Sequence, residues 1–234
     1  ALAARTQAIR VGVLVSCNTF RHPGLLAQSA ITVDHVSNGR LELGLGAGYT
    51  HGEHARFGIE LPAPRERVDR FHEAVQIVDS LLTRESTTFD GTYYQLDGAY
   101  VRPGPIQNPR PPLTLGAHRK RMLRICAEYA DNWNSVGTVE EIRVRNLMLD
   151  EHCAAIGRDP GTIRRSIYGW AALMPEQGLP DPWSSAAAFE DMVGQYCEVG
   201  INEFIIDQPR PEQFPVMEQI ASDFIAAKRR VGDG

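Results

Sequence analysis

The sequence predicts an α/β protein built from repeated strand–helix units around a parallel sheet. Two observations carry that expectation. From residue 9 onward, short β-branched apolar runs alternate about six times with helical patterns, and parallel strands need helical crossovers between them. The chain has 234 residues, 43% of them apolar and 23% charged, which suits an ordinary soluble globular protein of one large domain or two small ones.

IRVGVLV (9–15) is β-branched and apolar and reads as the first strand. A loop, SCNTFRHP, leads into LLAQSAITVDHVSNG, a helix ending at Gly39. RLELGLGAG (40–48) is the second strand, with three glycines among its last five residues. RERVDRFHEAVQIVDSLLTR (65–84) is an amphipathic helix, with Val68, Phe71, Val75, Val78 and Leu82 at spacings of three and four. Residues 86–112 interrupt the rhythm: FDGTYYQLDGAYV reads as a hairpin-like excursion and RPGPIQNPRPP as an extended approach.

The alternation then resumes. PLTLGA (112–117) is a strand and RKRMLRICAEYA (119–130) a helix. NWNSVG (132–137) is a short strand, followed by a helix over 138–157 whose Thr138 and Glu141 have the spacing of a capping box. RRSIYGWAALM (164–174) is a strand, 175–184 a Pro-rich loop, and AAAFEDMVGQYCEVG (186–200) a helix closed by Gly200. NEFIIDQP (202–209) and 212–231 are the last strand and helix.

Two architectures accommodate such units, an open doubly wound sheet and a closed (β/α)8 barrel. The open sheet calls for a Gly-rich turn after the first strand, and SCNTFRHP has no glycine before Gly24. The barrel takes the six units as its third to eighth if two more precede residue 1. The opening ALAART, with no Met, reads as the tail of a helix that begins upstream. The expectation is a single TIM-like barrel domain over 1–234 with an insertion around 86–112.

Charge and cysteine usage exclude several classes. A net charge of −5 carries no nucleic-acid footprint. No apolar run approaches the roughly 18–20 residues of a membrane span, and no signal-peptide pattern opens the chain. Cys17, Cys126, Cys153 and Cys197 form no CxxC pair, which argues against a structural zinc site or disulfide framework and fits a reducing cytosol. Each reads as a small core residue. No metal site is expected.

Several segments together resemble the bacterial luciferase-like superfamily of flavin- and deazaflavin-dependent oxidoreductases: LVSCNTFRHPGLLAQ, DHVSNGRLELGLGAGY, EHARFGIELPAPRERVDRFHEAVQIV, FDGTYYQLDGAYVRPGPIQNPRPPLTLGA and LRICAEYADNWN. They cover 9–136 almost without a break. The resemblance implies a TIM-like barrel with an insertion, a cofactor at the carboxyl ends of the strands and, often, a homodimer. Members carry a further strand–helix pair before the TFRHP-bearing strand, with a DH-type motif whose histidine lies near the reactive ring; this sequence has none of it.

Three places are candidates for the cofactor. At Gly46-Ala47-Gly48-Tyr49, glycine lets backbone approach a flat ring, and Tyr49 stacks on or lines that pocket; the other reading is a tight turn with Tyr49 packed in the barrel mouth. In related sugar-phosphate dehydrogenases an acid follows these glycines, so Tyr49 counts against a sugar-phosphate substrate. In the first strand, the resemblance implies a non-proline cis peptide supporting the ring, at Leu14-Val15 by register, with Cys17 and Asn18 near the ring or ribityl chain; the other reading is an ordinary trans strand. Cys17 is not read as a nucleophile, because no base can be placed beside it from sequence. At Gly116-Ala117-His118-Arg119 a strand meets a helix among basic residues, a natural phosphate site and the one the resemblance implies; the alternative is a solvated surface helix.

His51 is a candidate general acid or substrate-orienting group, or part of a flexible loop; His54 and Glu53 begin a helical turn. Trp133 and Asn134 close a strand near the substrate side, with core packing the main role of Trp133, and Trp170 reads as barrel core. The GLGAGY, EHARFGI and YADNWN segments look closest to the branch that uses coenzyme F420, which implies hydride transfer between the deazaflavin and a small organic substrate. FMN in the same pocket would support monooxygenation instead. A non-catalytic flavin-binding relative and an unrelated TIM-barrel lyase or isomerase with a phosphate site at 115–121 are the remaining readings.

Overall fold

The computed structural model of the chain describes residues 1–169 and 181–232. They fall into two compact units, one formed by 1–134 with 148–163 and the other by 135–147 with 164–234. Six strand–helix units follow one another along the chain, as expected of the barrel class.

The first unit opens with a helical turn, α1 (Leu2–Arg5). The expected strand over 9–15 is instead two short ones, β1 (Val11–Gly12) and β2 (Ser16–Cys17), with Val13–Val15 turning out of the ladder between them. The apolar run gives no sign of that turn, since its residues are as β-prone inside it as beside it. Helix α2 (Pro23–Ser37) is capped by His22, whose Nδ1 accepts from Gly24 N at 3.1 Å. It ends on left-handed Asn38 and Gly39, φ 53° and 76°, the αL close that Asn and Gly adopt most easily. Both β1 and β2 pair in parallel with β3 (Leu41–Gly46), which pairs with β6 (Leu113–Gly116), which pairs with β7 (Asn132–Ser135). Helices α3 (His51–Phe57) and α4 (Pro64–Thr83) separate β3 from the insertion. In α4 the apolar stripe is buried as its spacing predicts: Phe71, Val75 and Val78 have no exposed surface, each contributing about 1.5–3 kcal/mol by leaving water. Val68, at the start of the stripe, is only partly covered.

Two side chains, buried Asp34 and half-buried Arg40, tie the irregular segments down. Asp34, on α2, accepts from Ile106 N at 2.7 Å, Gln107 N at 3.3 Å and Gln107 Nε2 at 2.8 Å. Arg40 donates to Ala3 O and Thr6 O, each at 2.8 Å. The DHVSNGRL stretch therefore owes its residue types to chain anchoring. The insertion is the expected hairpin, β4 (Thr87–Asp90) antiparallel to β5 (Gln95–Ala99). Glu73 of α4 holds its turn by accepting from Thr92 N, Tyr93 N and Tyr94 N at 2.8, 2.9 and 3.1 Å. The extended approach that follows contains cis prolines at Pro103 and Pro109. Helix α5 (Lys120–Tyr129) follows β6.

Helix α6 (Val139–Ala155), whose residues to 147 belong to the second unit and the rest to the first, begins with the expected capping box: Thr138 N donates to Glu141 Oε2 at 2.9 Å and Glu141 N to Thr138 Oγ1 at 3.4 Å. Strands β8 (Arg164–Gly169) and β9 (Glu203–Ile206) pair in parallel, with α7 (Ala186–Cys197) and α8 (Phe214–Gly232) after them. Trp170 and the rest of the strand expected to 174 lie outside the described residues. Cys126 and Cys153 are core residues as expected, whereas Cys17 is half-buried and Cys197 is exposed on α7. No helix among the described residues is long and apolar enough to cross a membrane.

Candidate cofactor site

The carboxyl ends of β2, β3, β6 and β7 lie side by side in the first unit. Cys17 pairs with Gly46, Leu45 with Leu115, and Gly116 with Asn134. Three of the sequence-derived groups therefore share one rim: the β2 end, the glycines of β3 and the Gly116 turn.

The Leu14–Val15 peptide is cis, at the position the register indicates. Its neighbours explain most of the glycines. A Cβ on Gly44 would lie 2.1 Å from Val13 O, one on Gly46 2.6 Å from Val15 Cγ2, and one on Gly116 3.7 Å from the same methyl. The isopropyl group of Val15 thus rests across the ends of β3 and β6, while Val13 and Leu14 present apolar surface outward, 63% and 37% exposed.

Gly48 has φ +85°, a conformation that strains any L side chain, and a Cβ there would also meet Cys17 Sγ at 2.7 Å. Its carbonyl accepts from Arg67 Nη1 of α4 at 2.6 Å. Arg67 Nε is buried with no partner of its own. Asn18 is buried in the 3-10 turn Asn18–Phe20 and donates from Nδ2 to Tyr94 Oη at 3.4 Å. Burial pushes the Tyr94 phenol up, and the Asn18 hydrogen bond opposes that shift.

Gly116, Ala117, His118 and Arg119 bridge β6 and α5. Ala117 is buried, and both its backbone groups are committed: its N–H donates to Asn134 O at 3.0 Å and its carbonyl accepts from Trp133 Nε1 at 2.8 Å. Trp133 is fully buried, so core packing is its role. His118 and Arg119 are exposed, and the first turn of α5 carries no acid. An anion at this turn would meet the leading N–H groups of α5 and the Arg119 guanidinium, with the Ala117 N–H already used.

Tyr49 is 69% exposed, at the rim. His51 is the first residue of α3 and exposed, in a helix rather than a flexible loop. His54, on the same helix, is buried and hydrogen-bonded to Thr19 and Thr50. Sequence reasoning passed over Thr19, inside the quoted TFRHP motif, and Arg67, hidden among the polar positions of an amphipathic helix.

The residues present suit a flat aromatic cofactor with an anionic tail. Val13 and Leu14 expose apolar side chains, Arg67 Nε is a donor in need of an acceptor, and α5 begins with basic residues.

The second unit holds a cavity of about 320 Å³, lined by Ile167, Tyr168, Met192, Phe204 and Ile206 among others. The Tyr168 hydroxyl donates to Asp207 Oδ1 at 2.5 Å, and burial, reinforced by Asp207, pushes this phenol up to about 12.

Comparison with known proteins gives this geometry a family. The profile of the luciferase-like monooxygenases matches residues 1–178. An F420-dependent glucose-6-phosphate dehydrogenase of Microbacterium testaceum is 33% identical over 162 residues, 68% of this chain and 47% of that protein. One of Beutenbergia cavernae is 34% identical across 98% of this chain and 81% of its own length. The chain thus spans about half of the first relative and most of the second. Among solved structures, the coenzyme F420-dependent tetrahydromethanopterin reductase of Methanopyrus kandleri superposes with a TM-score of 0.77 at 17% identity, covering 92% of this chain and 82% of the reductase. That likeness shows the TIM-like fold, and the profile match over 1–178 shows that this chain belongs to the luciferase-like monooxygenase family.

Proposed function

We propose that the protein is an F420-dependent oxidoreductase that moves a hydride between the deazaflavin and a small organic substrate. The observation that carries this reading is the packing of Val13 and Val15 against Gly44, Gly46 and Gly116 at the rim of parallel strand ends. It is supported by relatives over 30% identical that are F420-dependent dehydrogenases.

In this reading Leu14 and Val15 brace one face of the ring, and Gly46, Gly48 and Tyr49 bound its edge. Cys17 and Asn18 lie by the ring or ribityl chain. The cofactor phosphate meets Gly116, Ala117, His118 and Arg119, chiefly through the Arg119 side chain and the start of α5. Tyr49 and His51, exposed at the mouth, orient the substrate or exchange a proton with it. F420 supplies hydride transfer and hardly activates oxygen; the protein supplies orientation and a water-poor face. The protein is further proposed to be cytoplasmic and to work as a homodimer.

The family description favours one alternative, FMN in the same pocket supporting monooxygenation; a non-catalytic flavin-binding protein is the other. Tyr49 argues against a sugar phosphate, while the relatives make glucose 6-phosphate the first compound to try. Turnover decides. Substrate-dependent loss of the oxidised F420 absorbance, with glucose 6-phosphate or with a panel of simple alcohols, supports the reading. Oxygen consumption with FMN and none of that loss would replace it.

A further inference from the structure

Behind Gly48, three side chains form an unbranched hydrogen-bonded line. His54 Nδ1 lies 2.7 Å from Thr50 O; a carbonyl only accepts, so Nδ1 carries a hydrogen. His54 Nε2 is 2.6 Å from Thr19 Oγ1, and Thr19 Oγ1 is 2.9 Å from Cys17 Sγ. With a neutral imidazole, Nε2 accepts from the Thr19 hydroxyl, whose oxygen is left to accept from the Cys17 thiol. Shift both protons one place and the same heavy atoms hold a thiolate accepting from Thr19, and an imidazolium donating to Thr19 and Thr50. Every member is satisfied in both states, and no heavy atom has to move.

The surroundings hold the line in place. His54 is 2% exposed, with the Phe20 ring 4.7 Å away. A Cβ at position 48 would press on Cys17 Sγ at 2.7 Å and on Thr19 Oγ1 at 3.0 Å. Glycine at this strand end therefore keeps the line closed. Cys17 itself is half-buried, not sealed in the core as Cys126 and Cys153 are.

We infer that Cys17 is a nucleophilic thiol whose proton is taken by His54 through Thr19, which makes it a modification site for soft carbon electrophiles. With iodoacetamide the Cys17 Sγ–carbon bond forms as the carbon–iodine bond breaks, and iodide leaves with the electron pair. The thiol proton passes to Thr19 Oγ1 and the Thr19 proton to His54 Nε2. Nothing is oxidised or reduced, so the proposal stands apart from the hydride chemistry above.

Timed alkylation with iodoacetamide, read peptide by peptide by mass spectrometry, tests it, with exposed Cys197 as the reference thiol on the same molecule. Cys17 is expected to react about tenfold faster than Cys197 or more. Thr19→Val keeps the shape and removes the hydroxyl; it is expected to slow Cys17 about tenfold and leave Cys197 unchanged, whereas Thr19→Ser stays within about threefold of the unaltered chain. His54→Gln, which can hydrogen-bond but is no base, repeats the loss. Labelling of buried Cys126 or Cys153 would reveal a variant that has come apart. Cys17 reacting no faster than Cys197 in the unaltered chain overturns the inference whatever the variants do, as does a folded Thr19→Val that keeps the full rate.

Discussion

The Cγ2 methyl of Val15 occupies the place that a side chain at position 46 would need, 2.6 Å from where that Cβ would stand. Glycine on β3 is thus required by the chain's own preceding segment. In the proposed function a planar cofactor meets this rim over Leu14 and Val15, and the glycines make room for Val15 there.

Gly46→Ala overpacks that contact. A cost of about 1–3 kcal/mol is expected, as for other insertions into tight cores. Gly52→Ala is the control, because nothing stands within 4 Å of its Cβ and its backbone is helical; it should be neutral or stabilising by up to about 1 kcal/mol. Urea midpoints of the two variants give the comparison.

Arg67 binds the Gly48 carbonyl through Nη1 and keeps a buried, unpartnered Nε. Arg67→Met removes a charged hydrogen bond of about 1.5–3 kcal/mol and the only guanidinium bonded to this strand end among the described residues. F420 affinity by fluorescence titration is expected to fall about tenfold or more; an unchanged affinity would take Arg67 out of the site.

Glu73 gathers three backbone donors at the hairpin turn. Glu73→Gln turns one of its accepting oxygens into a donor facing N–H groups, at about 1–3 kcal/mol. Amide exchange at residues 92–94 should accelerate while that of β3 stays unchanged.

How much of this was legible in the sequence varies with the range of the interaction that decides it. After the first strand, the strand–helix alternation, the α4 stripe beyond Val68 and the Thr138–Glu141 box are local patterns, and among the described residues each stands where the sequence puts it. The split of the first strand was not legible, because Val13–Val15 are as β-prone as their neighbours and only the empty space over Gly44 and Gly46 distinguishes them. Its cis peptide was located through family resemblance. The base for Cys17 was out of reach, since His54 is distant in sequence and the intervening Thr19 looks like any loop threonine. Asp34 and Arg40 were quoted as a motif, but their partners at 3–6 and 106–107 are visible only in three dimensions.

Tyr168 gives the second unit a signature at high pH. Burial, then the hydrogen bond and charge of Asp207, raise its phenol from an ordinary 10.0 to about 12. The fold favours the neutral phenol, so this contribution is whole below pH 10 and is lost as pH rises from 10 to 12, where the unfolded chain ionises first. Urea midpoints followed through that range should fall for the unaltered chain and fall less for Tyr168→Phe.

The most direct measurement is an equilibrium titration of the purified protein with F420 and, separately, with FMN, followed by cofactor fluorescence. F420 is expected to bind saturably and about tenfold tighter than FMN or better, and Gly46→Ala is expected to weaken it. Tighter binding of FMN, or no binding of F420, would contradict the assignment of this strand-end rim to a deazaflavin.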